Sequence, residues 1–224
     1  MGLSLRKDVS FCRIDDRTVF LDARRDRFFA VSEEVHVALA TSTARRTVDA
    51  KELGRLQPLI AAGVLIRTDR PNFDVLGTEI LVPEQSLFEE AHSAPSVSAC
   101  VQAVGYQSLA DALVRVQTLS DVIRHVRRSK RRVLTRAKDE LYDDRVKEVA
   151  AAFRRADRVR TVRDRCLPRS IGMMMQLARR GCSATMVIGV RLDPFGSHCW
   201  VQTDRSILSD PFGRVRPYSP ILTI

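Results

Sequence analysis

The apolar residues change their period late in the chain, and that change constrains the fold more than any other feature. From Ser108 they recur at helical spacing: Leu109, Leu113, Val116 and Leu119, then Val122, Ile123 and Val126, then Leu141, Val146, Val149, Ala150 and Phe153. After Gly181 the helical period gives way to a β-prone run, Ala184-Thr185-Met186-Val187-Ile188-Gly189-Val190-Arg191. Two further strand-like runs follow, Ser197 to Gln202 and Ser206 to Asp210. Helices first and strands last predict an α+β domain with an antiparallel C-terminal sheet.

The first 66 residues read differently. Val9-Ser10-Phe11-Cys12-Arg13 and Thr18-Val19-Phe20-Leu21-Asp22 alternate like strands across an Asp15-Asp16 turn, and Arg27-Phe28-Phe29-Ala30-Val31 supplies a third. Ser32, followed by Glu33 and Glu34, is a helix start, with Val35 and Leu39 at helical spacing. A second helix is expected from Thr47 to Ala62, stopped by Gly63, before Val64-Leu65-Ile66 returns as a strand. Short strands, two helices and a closing strand predict a winged-helix type unit. Between Thr68 and Gln102 the pattern weakens around Pro71, Pro83 and Pro95, and Pro95 to Ala99 reads as the least structured stretch. The expected organisation is a first domain over 1–82, a linker over 83–105 and a second domain over 106–224; 224 residues suffice for two small domains.

The formal charge is +10. It concentrates between Arg124 and Arg180, with about 19 Lys/Arg against about 7 Asp/Glu. Such a surface is either a solvated helical face or a face for an acidic partner. The five cysteines (Cys12, Cys100, Cys166, Cys182, Cys199) are odd in number and form no CxxC pair. That argues against a disulfide framework and a zinc site, and for a reducing compartment. The N-terminus carries no signal-like apolar run and nothing approaches a membrane span, so the expectation is a cytoplasmic protein.

Three residues carry the chemistry. Cys166 opens an amphipathic helix, Cys166-Leu167-Pro168-Arg169-Ser170-Ile171-Gly172-Met173-Met174-Met175, where the positive helix end favours thiolate. Pro168 suits a first turn. His198 lies in a strand and Asp210 ends the next. A hairpin centred near Asp204 would place His198 opposite Asp210 on one face, although a one-residue slip would separate them. A thiol, an imidazole and a carboxylate in this setting read as nucleophile, base and orienter, the equipment of a cysteine hydrolase or acyltransferase. Cys182, at a helix end, and Cys199, on the face away from His198, read as structural.

The strings Cys166-Leu167-Pro168-Arg169-Ser170, Leu177-Ala178-Arg179-Arg180-Gly181, Val187-Ile188-Gly189-Val190-Arg191, Pro194-Phe195-Gly196-Ser197-His198-Cys199-Trp200-Val201 and Leu208-Ser209-Asp210 together resemble the transglutaminase-like cysteine protease of lasso peptide biosynthesis, the B protein. The resemblance spans roughly 105–215. It implies a transglutaminase/papain-like fold, Cys166 as nucleophile, His198 as base and Asp210 as orienter. It also implies removal of the leader from a ribosomally made precursor, a partner cyclase resembling asparagine synthetase, and no cofactor or metal. The first half is similar to the RiPP recognition element, a PqqD-like winged-helix unit that binds leader peptides. The implied mode is β-augmentation on the strand around Phe28, Phe29 and Val31, beside a helix bearing Leu53, Leu56 and Ile60. Papain-like enzymes carry a glutamine shortly before the cysteine; here that stretch reads Arg160-Thr161-Val162-Arg163-Asp164-Arg165. Two rival functions are a winged-helix nucleic-acid-binding regulator and a transglutaminase-type acyltransferase. The regulator is disfavoured because its expected recognition helix, Thr47 to Ala62, carries only Lys51 and Arg55 as cations.

Overall fold

A computed structural model describes residues 2–69, 73–78, 80–90, 94–131, 141–157 and 165–224. Pro71, His92 and the 160–164 stretch lie outside the described residues. The chain divides into two compact units, Met1–Glu79 and Ile80–Ile224.

The first unit contains β1 (Gly2–Leu5), β2 (Val9–Ile14), β3 (Arg17–Asp22), β4 (Arg27–Ala30), α1 (Glu33–Arg45), α2 (Ala50–Ala61), β5 (Leu65–Thr68) and β6 (Phe73–Asp74). Strands β2-β3-β4 form an antiparallel sheet, and β5-β1-β6 form a second three-stranded sheet. The β2–β3 turn uses Asp15 at φ 50°, a left-handed conformation that short acidic side chains tolerate. Register places Phe11 opposite Phe20 and Phe20 opposite Phe29. Their rings stand 5.3 and 5.2 Å apart, so one face of the sheet is an aromatic ladder over the core. Leu39 of α1 and Leu56 of α2 fill the rest. Helix α2 begins at Ala50, three residues later than Thr47, because Asp49 and Glu52 form a reciprocal capping box.

The second unit contains β7 (Gln85–Ser86), α3 (Val97–Val116), α4 (Leu119–Arg131), α5 (Tyr142–Ala156), α6 (Cys166–Arg179), β8 (Thr185–Arg191), β9 (Gly196–Gln202), β10 (Ser206–Ile207), α7 (Phe212–Val215) and β11 (Ser219–Thr223). One five-stranded sheet runs β11-β8-β9-β10-β7. It is antiparallel except at its edge, where β7 pairs parallel to β10. The 83–105 stretch, expected as a linker, thus holds an edge strand and the first nine residues of α3. Ser96 caps α3 by accepting from the Ala99 N–H at 3.3 Å. The buried stripe of α3 is Ala99, Ala103, Gln107 and Ala110, whose three alanines leave little helical signal but let α3 approach α6 closely. At the contact, a Cβ on Gly172 would lie 3.0 Å from Gln107 N and 3.1 Å from the Tyr106 carbonyl oxygen. Helix α6 packs on β8 and β9. Trp200, Val187, Ile207 and Val215 form a separate buried cluster, flanked by Phe212 and Tyr218.

The basic stretch resolves in part on α4. There Val122, Ile123 and Val126 are buried, while Arg124, Arg127, Arg128 and Arg131 are exposed. No helix among the described residues is long and apolar enough to cross a membrane.

Candidate active site

Helix α6 begins at Cys166 and brings the thiol to β9. A buried serine on the next turn ties the two elements together: Ser170 Oγ donates to the Cys199 carbonyl at 3.1 Å. This side of β9 has no partner strand at Cys199, because β10 meets β9 only at Gln202. The Cys199 backbone N–H therefore remains available on the side of the Cys166 sulfur, where it favours the thiolate. The His198 side chain, by strand alternation, lies on the face opposite the Cys199 side chain and still reaches Cys166. There it stacks with Trp200 at 6.3 Å and meets Tyr218 at 5.4 Å.

Asp210 reaches His198 by a route other than the expected hairpin pairing. The β9–β10 register pairs Gln202 with Ile207, one residue off the expected alignment, and would set Asp210 across from Cys199. The ladder stops after Leu208, whose N–H donates to the Val201 carbonyl at 2.8 Å. Next the Ser209 hydroxyl, rather than a backbone carbonyl, accepts from the Val201 N–H at 3.0 Å. Freed from the ladder, the chain swings Asp210 beside the imidazole, with Oδ1 3.2 Å from His198 Nε2. The contact has ion-pair distance but lies off the line of a well-directed hydrogen bond. Nε2 faces the carboxylate, which leaves Nδ1 for the thiol. The Asp210 backbone is also anchored, since Ser86 Oγ donates to its carbonyl at 2.6 Å.

The electrostatics follow from burial and pairing. Burial pushes the Cys166 thiol up, but the His198 hydrogen bond and charge, with the Cys199 backbone, bring it below an ordinary thiol. Burial lowers His198, and the adjacent Asp210 carboxylate and Cys166 thiolate more than reverse this, raising it to about 9. Asp210 is lowered despite its burial, chiefly through His198 and Arg169. The site thus favours a thiolate–imidazolium pair. Cys199, fully enclosed, is pushed well above the usual thiol value, as burial dictates. Among the described residues no group of three His, Cys, Asp or Glu side chains could hold a metal ion.

Two residues of this site were not singled out in the sequence as chemically important. Ser209 Oγ donates to Asp210 Oδ2 at 2.6 Å. Arg169 lies 3.4 Å from the same oxygen. Arg169 stands three residues after Cys166, and helical spacing would have placed it beside the nucleophile.

The first unit carries a cleft of about 560 Å³, lined by Arg27, Phe29 and Val31 on the β4 side and by Pro58, Leu59 and Ala61 of α2 with its C-cap Ala62. Of the residues expected to receive a peptide, Phe29 and Val31 line it. Phe28 lies on the other face of β4, paired with Leu21. Leu56 is fully buried core, and Leu53 and Ile60 pack against that core. The helix wall of the cleft shares Leu59 with the core stripe and otherwise uses the neighbouring face, because Leu53, Leu56 and Ile60 are spent on the core. Strand β4 ends its sheet, with β3 as its neighbour.

No curated protein and no solved structure matches the chain. A family model described as the transglutaminase-like superfamily matches residues 108–223. The matched span contains Cys166, His198 and Asp210, and superfamily members are typically cysteine-based enzymes, peptidases or acyltransferases. Covering more than half of its length, the match establishes that the chain belongs to the transglutaminase-like superfamily.

Proposed function

We propose that the chain is a cysteine endopeptidase of lasso peptide maturation, which cuts the leader from a ribosomally made precursor. The observation that carries the hydrolytic part is the Cys166–His198–Asp210 arrangement, with its buried carboxylate and thiolate-favouring helix start. In the proposed reaction the Cys166 thiolate attacks the scissile carbonyl. His198 gives its proton to the leaving amine, releasing one peptide fragment. Water, deprotonated by His198, then attacks the thioester, frees the carboxylate and restores the thiol. The Cys166 backbone N–H, at the open end of α6, is the proposed oxyanion donor.

The leader-binding part rests on the first unit, read as a winged-helix recognition element. A bound leader would add a strand to β4 and place side chains in the cleft between Phe29, Val31 and α2. Its partners would be the precursor peptide and a cyclase that closes the ring afterwards. The free thiols suit the reducing cytoplasm.

The test is incubation of the full chain with a candidate lasso precursor peptide, read by mass spectrometry. Wild type should release a leader ending in a free carboxylate, and Cys166→Ala should release none. Leader release by Cys166→Ala at the wild-type rate would sink the reading. An amine-linked product in place of the free carboxylate would assign acyl transfer instead.

A further inference from the structure

Arg169 lies on α6 one turn after Cys166, and is 6% exposed. Its guanidinium is divided between two carboxylates. Nη2 stands 2.6 Å from Asp157 Oδ2 and Nε 3.0 Å from Asp157 Oδ1, a bidentate fork. That leaves Nη1, which sits 3.4 Å from Asp210 Oδ2. The Phe88 ring underlies the guanidinium carbon at 5.8 Å. Asp210 therefore uses its two oxygens differently. Oδ2 takes Ser209 Oγ and Arg169, while Oδ1 is turned to His198.

We infer that Arg169 is a positioning residue of the triad: clamped by Asp157, it holds the Asp210 carboxylate ionised and turned toward His198. The inference rests on the triad reading above and assigns a role outside it.

The charges around Asp210 explain why an arginine is needed there. His198 faces it from β9, Arg169 from α6 and Arg214 from α7, while Asp157 and Cys166 act on it or its partner through space. Two buried carboxylates close to one another tend to retain a proton between them. Arg169 lies between these two and offsets that tendency. Arg214 is no substitute, because its Nε is 3.8 Å away on a side chain 53% exposed. A protonated Asp210 would no longer support the imidazolium, and the thiolate would lose its counter-charge in turn. Lysine would preserve charge but not the fork, because one ammonium cannot span both carboxylates in this geometry.

A purely structural ion pair would hold α5 to α6 without affecting the thiol. The two roles separate in the pH dependence of Cys166 alkylation by iodoacetamide, followed in the full chain by peptide mass mapping. Arg169→Met alone strands Asp157 without its cation, so it is combined with Asp157→Leu, an apolar replacement of the buried pair. The double variant removes the repulsion of Asp157 along with the attraction of Arg169; because the guanidinium is the charge in contact with Asp210, the variant should still raise the midpoint of Cys166 alkylation, by up to about one unit. Arg169→Lys should move it less, in the same direction. Wild-type midpoints in both variants, with native near-UV circular dichroism, overturn the inference. If Asp210→Asn raises the midpoint while these variants do not, the triad stands and Arg169 is structural. If wild-type Cys166 titrates as an ordinary thiol, the triad reading fails and the inference falls with it.

Discussion

Cys166 and Cys199 sit close enough to influence each other's charge, yet their environments push them in opposite directions. Cys199 is enclosed on all sides and stays protonated, whereas Cys166 faces an imidazole and a backbone N–H at a helix start. Cys12, buried in the first unit without a base, is pushed up to about 12. At pH 7 iodoacetamide should therefore modify Cys166 at least about tenfold faster than Cys12 or Cys199, since only thiolate reacts. Equal labelling of the three by mass mapping would contradict the site as described. The rate of any acyl transfer should also show an alkaline limb near pH 9, where His198 loses the proton it must donate. The acid limb belongs to Cys166, whose thiolate is lost as pH falls through its lowered value. Asp210→Asn removes the charge that holds His198 up, so the alkaline limb should shift to lower pH and the maximum rate should fall about a hundredfold or more. An unchanged limb in that variant would show that Asp210 does not control the base. The residue types of this site were legible in the sequence because nucleophile, base and orienter are chemically distinctive. Their path to one another was not. The actual register is a residue away from the hairpin that would juxtapose His198 and Asp210, and the contact forms because the Ser209 side chain ends the ladder early.

Among the elements, α3 shows how a well-built helix escapes pattern reading. Its N-terminal half presents Ala99 and Ala103 to the core and Val97, Val101 and Val104 to the outside, the reverse of an amphipathic signature. What selects the helix is close approach to α6, visible only in three dimensions. The strands β2, β3 and β4 were legible, by contrast, because their alternation coincides with one buried aromatic face. β1 (Gly2-Leu3-Ser4-Leu5) and β11 (Ser219-Pro220-Ile221-Leu222-Thr223) lack the aromatic and β-branched run that marks β2 to β4, and β11 carries a proline. The α3–α6 contact leads to a specific expectation at Gly172. A helix interior gains up to about 1 kcal/mol from replacing glycine with alanine. Here the added Cβ meets α3 backbone at 3.0 Å, and backbone cannot move aside as a side-chain tip can. Gly172→Ala should therefore yield no gain, and Gly172→Val should cost about 2–3 kcal/mol through overpacking. Urea denaturation of the second unit's transition measures both. A stabilised Gly172→Ala would mean that the two helices do not approach this closely.

At the scale of the whole molecule, the proposed function divides recognition and chemistry between the two compact units, and that division would have a kinetic signature. A precursor held by its leader would reach the thiol by an intramolecular step, with an effective concentration on the order of millimolar for a short flexible tether. A short peptide spanning only the scissile bond has no leader to hold and gains nothing from the first unit. The two substrates can therefore be separated by one substitution far from the chemistry. Ala61 suits this purpose: it lines the cleft, is exposed, and sits at the last position of α2. Arginine there is compatible with the helix, since a cation at a helix C-terminus is favourable. Its long side chain would occupy the space in which a leader side chain is proposed to dock. Ala61→Arg should raise KM for the full precursor about tenfold, roughly the loss of one good apolar contact, with kcat almost unchanged. The same variant should cleave the short peptide at the wild-type kcat/KM. Steady-state kinetics on the two substrates with one enzyme preparation decide the matter. An equal loss on both would show that the substitution perturbs the chain as a whole. No loss on either would remove the cleft from recognition, leaving the triad to be explained by a substrate that the second unit selects alone.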